Sequence, residues 1–175
     1  MISKGIFDPI LTDLSEVEKN LSHFATTSDL PLLSELLDHT FKSKGKRTRP
    51  ALTLLTAGFH SHDKSKVSLM ATAVEMLHVA TLIHDDIVDG ADTRRGRITV
   101  SNAWGNHTAV LLGDYVFAAS ATYVCNTGNI RAVKLFSETI MDLSRGELQE
   151  SAHAHKNSYN LKEYLERIHF KTGSL

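Results

Sequence analysis

The sequence is poor in cysteine and has almost no excess charge, and each shortage excludes a class of protein. The one cysteine, Cys125, cannot form an internal disulfide, and no zinc-type spacing surrounds it, so we expect a reducing, cytoplasmic location. The chain has 19 basic and 20 acidic residues, a formal net charge of -1, which removes the electrostatic basis for general nucleic-acid binding. Any role for positive charge must therefore depend on a local cluster of basic residues and not on the net charge of the chain.

The sequence also lacks the continuous apolar run that targets a protein to a membrane or spans one. The N-terminal stretch MISKGIFDPILTDLSEVEKNL contains four acidic residues, which does not match a signal or transit peptide. Glu75 and His78 interrupt the longest apolar tract, residues 67–88. We therefore predict no transmembrane segment.

Proline is scarce, and its absence after Pro50 favours a helical chain. Apolar residues recur at spacings of three and four. They predict helices at about 10–21, 30–41, 51–59, 67–89, 110–125, 130–154 and 161–175. The 67–89 segment is apolar all round, as in a buried central helix; Gly90 marks its end, and DTRRGR is predicted as a loop. No strand alternation is sustained, so we predict an all-α fold in a single domain, 1–175.

The predicted end of the central helix contains three aspartates in LIHDDIVDG. Asp85 and Asp89 are four residues apart and point the same way, with Asp86 about 100° round the helix axis. Such charges repel one another unless cations neutralise them. Mg²⁺ prefers oxygen ligands and commonly takes one or two carboxylates together with substrate phosphate oxygens, so the cluster predicts a magnesium site. A solvated helix end is the plainer alternative.

Two other kinds of metal site fit less well. A calcium loop would place Asp85, Asp89 and Gly90 at its first, fifth and sixth positions, but Ile87 and Gly96 lack the oxygens needed at the third and twelfth. Histidines are clustered at 60 and 62, 78 and 84, and 153 and 155, yet each cluster lacks a local third ligand for a transition metal. We expect surface or hydrogen-bonding roles for the first and last of them.

Two basic segments flank the acidic cluster: GKRTR, residues 45–49, and the adjacent Arg94 and Arg95. Guanidinium and ammonium groups both suit phosphate. The segments GKRTRP, HDDIVDGADTRRG, LLGDY and KT, in this order from about Lys44 to Leu175, resemble the trans-isoprenyl diphosphate synthases, or polyprenyl synthetase family. Class I terpene cyclases share an aspartate-rich helix but are less similar, because the paired basic motifs of the synthases are present here.

The resemblance implies an isoprenoid-synthase helical bundle and Mg²⁺-dependent, head-to-tail condensation of isopentenyl diphosphate with an allylic diphosphate. By this resemblance the aspartates hold Mg²⁺ on the allylic diphosphate. Other residues help to bind the same diphosphate. The matching residues for this allylic site are Asp85, Asp86, Asp89, Arg94, Lys171 and Thr172. Those for the isopentenyl diphosphate pocket are Lys46, Arg49, His78 and Arg95.

The same resemblance bears on product length. One face of the helix before the motif would line a tunnel for the growing chain, through Ala73, Val74, Leu77, Ala80 and Thr81. Ala80 and Thr81 are small where short-chain members carry an aromatic residue, which implies a product longer than farnesyl. Ordinary close packing between helices is the alternative.

A complete family member has a second aspartate-rich motif, whereas Asp85 and Asp86 are the only adjacent aspartates here. We therefore expect an incomplete bundle, the N-terminal half. It would be a truncated product, a catalytic half-enzyme whose partner supplies the second motif, or a non-catalytic regulatory or structural subunit. The first two are favoured because the retained site residues look intact. We expect a homo- or hetero-oligomer, with negligible synthase activity for the chain alone.

Overall fold

The computed structural model describes residues 5–42, 45–153 and 160–175, with only the backbone of His153. Four features of the sequence predictions lie outside the described residues. They are Lys44 at the start of the resemblance, the helix end at Ala154, most of the KNSYN segment, and the side chains of His153 and His155.

Helices dominate the described residues, which confirms the all-α prediction. Eight α-helices are found there: α1 (Leu11–Thr26), α2 (Pro31–Phe41), α3 (Thr48–Ala57), α4 (Lys64–Val88), α5 (Val100–Trp104), α6 (Asn106–Asn126), α7 (Ile130–His153) and α8 (Leu161–Ile168). A 3-10 turn, Asp8–Ile10, precedes α1, and a π-helical turn, His169–Gly173, follows α8. The five-residue α5 was not predicted; Thr99 caps it by accepting a hydrogen bond from the Asn102 amide.

The contacts divide the chain into two compact units, Met1–Gly128 and Asn129–Leu175. The first contains α1 to α6, with α4 packed against α1, α3, α5 and α6. Its core consists of apolar side chains from all six of these helices, among them Val17, Leu21, Leu37, Met76, Leu112 and Val116. The second contains α7, α8 and the π-helical turn, which packs against α7. The functional side chains of the first unit are therefore positioned mainly by α4 and its neighbours.

The central helix begins and ends as local sequence dictates. At its start, the Asp63 carboxylate accepts hydrogen bonds from the Ser65 and Lys66 amides. At its end, Asp89 is the C-cap and Gly90 has a φ of +61°, a conformation that favours glycine and terminates helices. Both α4 and α6 are long and apolar enough to span a membrane by length and composition alone. Here they pack against each other, as core helices do.

The prediction of a loop at DTRRGR was wrong in part, because this segment forms a β-hairpin. Strand β1 (Thr93–Arg94) pairs antiparallel with β2 (Arg97–Ile98), with Arg94 opposite Arg97. The two turn residues, Arg95 and Gly96, have φ values of +52° and +76°, as the tight hairpin turn of type I′ requires. Strands of two residues are too short for side-chain alternation to reveal them.

Candidate functional site

The three aspartates at the end of α4 divide between two roles. Asp86 is 7% exposed, and its Oδ1 accepts a hydrogen bond of 2.6 Å from Nε of Arg94. Asp85 is half-buried and Asp89 is exposed. No three acidic, histidine or cysteine side chains converge as a metal site among the described residues. Asp85 and Asp89 lie one helical turn apart, and a cation held by them would need further oxygens from a substrate or water.

The hairpin that carries Arg94 and Arg95 is tied to α2 through His39. Nε2 of His39 lies 2.8 Å from the Ile98 carbonyl oxygen and therefore carries the proton that it donates. Nδ1 is then the acceptor for Nη2 of Arg97 at 3.3 Å. The edge of Trp104 packs against the imidazole ring. One histidine thus anchors both residues of β2.

The GKRTR segment contains a buried ion-pair network centred on Arg47. Its guanidinium, 8% exposed, contacts Glu18 of α1, with Nε to Oε1 at 2.5 Å, and Glu75 of α4, with Nη1 to Oε1 at 2.8 Å. Burial lowers the pKa of Arg47, but the hydrogen bonds to Glu18 and Glu75 outweigh that effect and raise it. The network joins the start of α3 to α1 and α4.

The hairpin and the GKRTR segment approach each other at Gly45. A Cβ atom on Gly45 would lie 2.8 Å from Nη1 of Arg95 and 3.5 Å from Nη1 of Arg47. The absence of a Cβ atom at Gly45 leaves room for the end of the Arg95 side chain, which would otherwise have to shift. Gly45 therefore allows basic side chains from both segments to meet.

These elements enclose a cavity of about 470 Å³ with a basic lining. Its lining residues are Gly45, Lys46, Arg47, Thr48, Arg49, Glu75, His78 and Arg95. The lining has four basic side chains, those of Lys46, Arg47, Arg49 and Arg95, and one carboxylate, that of Glu75. The four residues expected to share an isopentenyl diphosphate pocket, Lys46, Arg49, His78 and Arg95, thus line one cavity. Its surplus of positive charge suits a diphosphate.

His78 is the one imidazole in the lining of this cavity. Burial, together with the positive charges of Arg49, Arg95 and Arg94, lowers the pKa of His78 to about 4. The imidazole is therefore neutral at neutral pH. It can donate one hydrogen bond to a bound anion without adding a charge.

The other member of this histidine cluster, His84, is directed elsewhere. Its Nε2 lies 3.3 Å from the Val110 carbonyl and 3.5 Å from Oδ1 of Asp114. The ring packs on Gly113 of the LLGDY motif, where a Cβ atom would collide with it. This glycine lets α6 approach the functional end of α4.

The residues predicted to line a chain-length tunnel are mostly buried. Ala73, Leu77 and Ala80 are fully buried and Val74 is 8% exposed. Thr81 is half-buried, and its hydroxyl donates to the His78 carbonyl. Such burial is compatible with close packing as well as with a tunnel, so the tunnel stays a prediction.

The KT pair lies in the second unit. Nζ of Lys171 contacts Oε2 of Glu150 at 2.5 Å and Oε1 of Glu147 at 3.0 Å. Burial opposes the charged lysine, but hydrogen bonds to Glu150 and Glu147 raise the pKa of Lys171 above its usual range. The segment crosses α7 at Gly146, where a Cβ atom would lie 2.7 Å from the Lys171 amide nitrogen. Thr172 is exposed.

Sequence reasoning did not assign roles to Glu18, Arg47, Glu75 and His39. Glu75 carried a usable signal, since a carboxylate inside a helix that is apolar all round must have a buried partner. Its partner is Arg47, which lies 28 residues earlier. The partnership depends on tertiary packing.

Comparison with known proteins identifies the family of this chain. The profile of the polyprenyl synthetase family matches residues 30–175. A prenyl transferase of Synechocystis sp. is 39% identical over 174 residues, covering 98% of this chain and 54% of its own. Heptaprenyl diphosphate synthase component 2 of Geobacillus stearothermophilus is 37% identical over 172 residues, covering 98% and 53%. The chain thus spans about half the length of the curated relatives it matches.

Solved structures show the same fold. Polyprenyl synthase of Caulobacter crescentus, complexed with calcium and isoprenyl diphosphate, matches with a TM-score of 0.89 and 30% identity, over 97% of this chain and 51% of that one. Heptaprenyl diphosphate synthase of Staphylococcus aureus matches with a TM-score of 0.87 and 33% identity, over 93% and 52%. With the profile, the relatives and the fold in agreement, the chain belongs to the polyprenyl synthetase family.

Proposed function

We propose that this chain is part of a prenyltransferase that condenses isopentenyl diphosphate with an allylic diphosphate. The observation that carries the proposal is the placement of a basic cavity and an acidic helix end on one helix, α4. His78 of the cavity and Asp85 are seven residues apart, two turns or roughly 10 Å along the axis. That spacing suits two diphosphates bound side by side.

Each group has a role that its environment supports. Lys46, Arg49 and Arg95 would bind the diphosphate of isopentenyl diphosphate, and neutral His78 would donate a hydrogen bond to it. Asp85 and Asp89 would hold Mg²⁺ on the allylic diphosphate, whereas Asp86 is engaged by Arg94.

When bound, Mg²⁺ would neutralise the leaving diphosphate as the carbon–oxygen bond ionises. The protein groups then serve to bind and orient the two substrates. In the second unit, Lys171 and Thr172 would assist the allylic diphosphate, and Lys171 would have to exchange its carboxylate partners for the ligand.

We further propose that the chain acts with a partner that supplies the second aspartate-rich motif. Two relatives, from Geobacillus stearothermophilus and Bacillus subtilis, are named component 2 of heptaprenyl diphosphate synthase, and their names support a heteromeric assembly. A product longer than farnesyl remains our prediction, because Ala80 and Thr81 are small. A cytoplasmic location also remains a prediction.

The test is condensation of farnesyl diphosphate with labelled isopentenyl diphosphate in Mg²⁺, by the chain alone and with co-purified partners. We expect activity only with a partner, and its loss in the Asp85→Ala, Asp89→Ala variant. Asp29→Ala, an exposed aspartate before α2, is the matched control and should retain activity. Full activity of the double variant with its partner would contradict the proposal and favour a non-catalytic subunit. Efficient turnover by the monomeric chain would contradict the need for a partner.

A further inference from the structure

The feature that points beyond the proposed roles is the backbone of Arg47. Its φ of +51° and ψ of +32° place it in the left-handed region, which a residue with a Cβ atom rarely adopts. Arg95, with a φ of +52°, is the other non-glycine residue with positive φ in the described part of the chain. Both line the same cavity. Such conformations persist when the surroundings determine them, and they cluster at functional sites.

The surroundings that determine Arg47 are two carboxylates on different helices. Glu75 is fixed on α4 with a side chain only 5% exposed, and Glu18 reaches in from α1. Together they accept three hydrogen bonds from one guanidinium, from Nε, Nη1 and Nη2. A guanidinium group that is hydrogen-bonded at all three nitrogen atoms has a single orientation. The main chain of the adjacent residues is then fixed with it.

From this geometry we propose that Glu75 and Glu18 are positioning residues for the diphosphate cavity. By holding Arg47 in its left-handed conformation, they place Lys46 and Arg49 at the cavity beside Arg95. The inference rests on the proposed function, because it assumes that the cavity binds a diphosphate. Both glutamates would act through Arg47, which lines the cavity together with Glu75.

The plainer alternative is that Glu75 only neutralises a buried arginine. The two roles predict opposite signs for one substitution. Removing the negative charge of Glu75 makes the cavity more positive, which by Coulomb attraction alone tightens anion binding. Loosening the Gly45–Arg49 segment instead weakens binding, because Lys46 and Arg49 lose their fixed positions.

The experiment measures the Kd of inorganic pyrophosphate for the full chain by calorimetry, in EDTA so that no metal site contributes. We expect Glu75→Gln, which keeps the shape of the side chain, to raise the Kd about tenfold. Glu16→Gln, an exposed glutamate paired with Lys19, is the control and should change the Kd by less than twofold. A tighter or unchanged Kd in folded Glu75→Gln would overturn the inference.

A second variant, Arg47→Lys, conserves the charge of the cavity but lacks the planar fork that binds both carboxylates. We expect its Kd to rise at least fivefold, with Arg131→Lys, at an exposed site on α7, as the matched control. An unchanged Kd in this variant would overturn the positioning role even if Glu75→Gln fails to fold. Thermal unfolding without ligand establishes which variants are folded.

The outcomes separate this inference from the proposed function. If the unmodified chain does not bind pyrophosphate, the cavity is not a diphosphate site and the inference falls. If pyrophosphate binds and both variants weaken binding, but condensation with a partner is absent, the proposed reaction fails while the positioning role stands.

Discussion

Two regions of the molecule share one arrangement, a cation between two glutamates, in different environments. In the first unit, Arg47 lies between Glu18 and Glu75, with side-chain exposures of 8% for the arginine, 5% for Glu75 and 40% for Glu18. In the second unit, Lys171 lies between Glu147 and Glu150, with exposures of 40% for the lysine and 50% for Glu150. The two clusters therefore differ mainly in the burial of the cation and of one of its two glutamates, since Glu18 is about as exposed as Glu147.

The difference teaches that burial decides what such a cluster does. A buried charge that loses its partner remains desolvated and unpaired, which is costly, so the Arg47 cluster fixes local structure. Exposed partners are easily replaced by water, so Lys171 can leave its glutamates for another anion at little cost. The first cluster suits a positioning role and the second suits direct contact with a ligand.

The largest effect is expected from breaking the buried cluster. Arg47→Met leaves Glu75 buried without its cation, and should lower the free energy of unfolding by about 3 kcal/mol. Urea denaturation of the full chain measures this. Adding Glu75→Gln to the variant should restore part of the loss, because it removes the unpaired charge. A loss below about 1 kcal/mol would show that the cluster behaves like an exposed pair.

The glycines beside the two clusters sharpen the comparison. A Cβ atom on Gly146 meets the backbone of Lys171 at 2.7 Å, whereas one on Gly45 meets the far end of the Arg95 side chain at 2.8 Å. Backbone cannot move as cheaply as a flexible side chain, so we expect Gly146→Ala to cost about 2 kcal/mol and Gly45→Ala less than about 1 kcal/mol. Thermal unfolding compares them. The reverse order would contradict this explanation.

A smaller effect follows from the pH dependence of the basic cavity. The pKa of His78 is lowered to about 4, so as pH falls below about 6.5 the unfolded chain takes up a proton first. The free energy of unfolding is therefore highest above pH ~6.5, and it declines as the pH falls from there through the folded-state pKa of His78. From pH 7 to pH 4 the free energy of unfolding should decrease in both proteins. The decrease should be smaller in His78→Gln, by on the order of 1 kcal/mol.

Urea denaturation across this pH range checks the expectation for His78. His60→Gln, at an exposed histidine, serves as the control and should follow the unmodified chain. Identical pH profiles for His78→Gln and the unmodified chain would contradict a depressed pKa.

The smallest effect is expected at the exposed cluster. Lys171→Met should change the free energy of unfolding by no more than about 0.5 kcal/mol, because both glutamates return to water. High salt should reduce even this difference, since exposed charges are screened. Unfolding curves at low and high salt measure it. A loss as large as that of Arg47→Met would remove the distinction between the clusters.

Local chemistry made much of the site predictable. The end of α4 at Gly90 and the shared face of Asp85 and Asp89 follow from helix geometry and from the φ that glycine permits. The grouping of Lys46, Arg49, His78 and Arg95 followed from a family resemblance in their motifs, and the cavity lining agrees with it. The hairpin at Arg95 and Gly96 escaped prediction because its strands contain only two residues each.

The sequence by itself determined the helical fold, the family and the identity of the charged groups, because these depend on spacing along the chain and on residue type. Only the tertiary structure decided which charges are paired. Arg47 meets Glu18 and Glu75 across 29 and 28 residues, and Asp86 is engaged by Arg94 whereas Asp85 and Asp89 are more exposed. Pairing and burial are set by helix packing, which brings together groups that the linear order keeps apart.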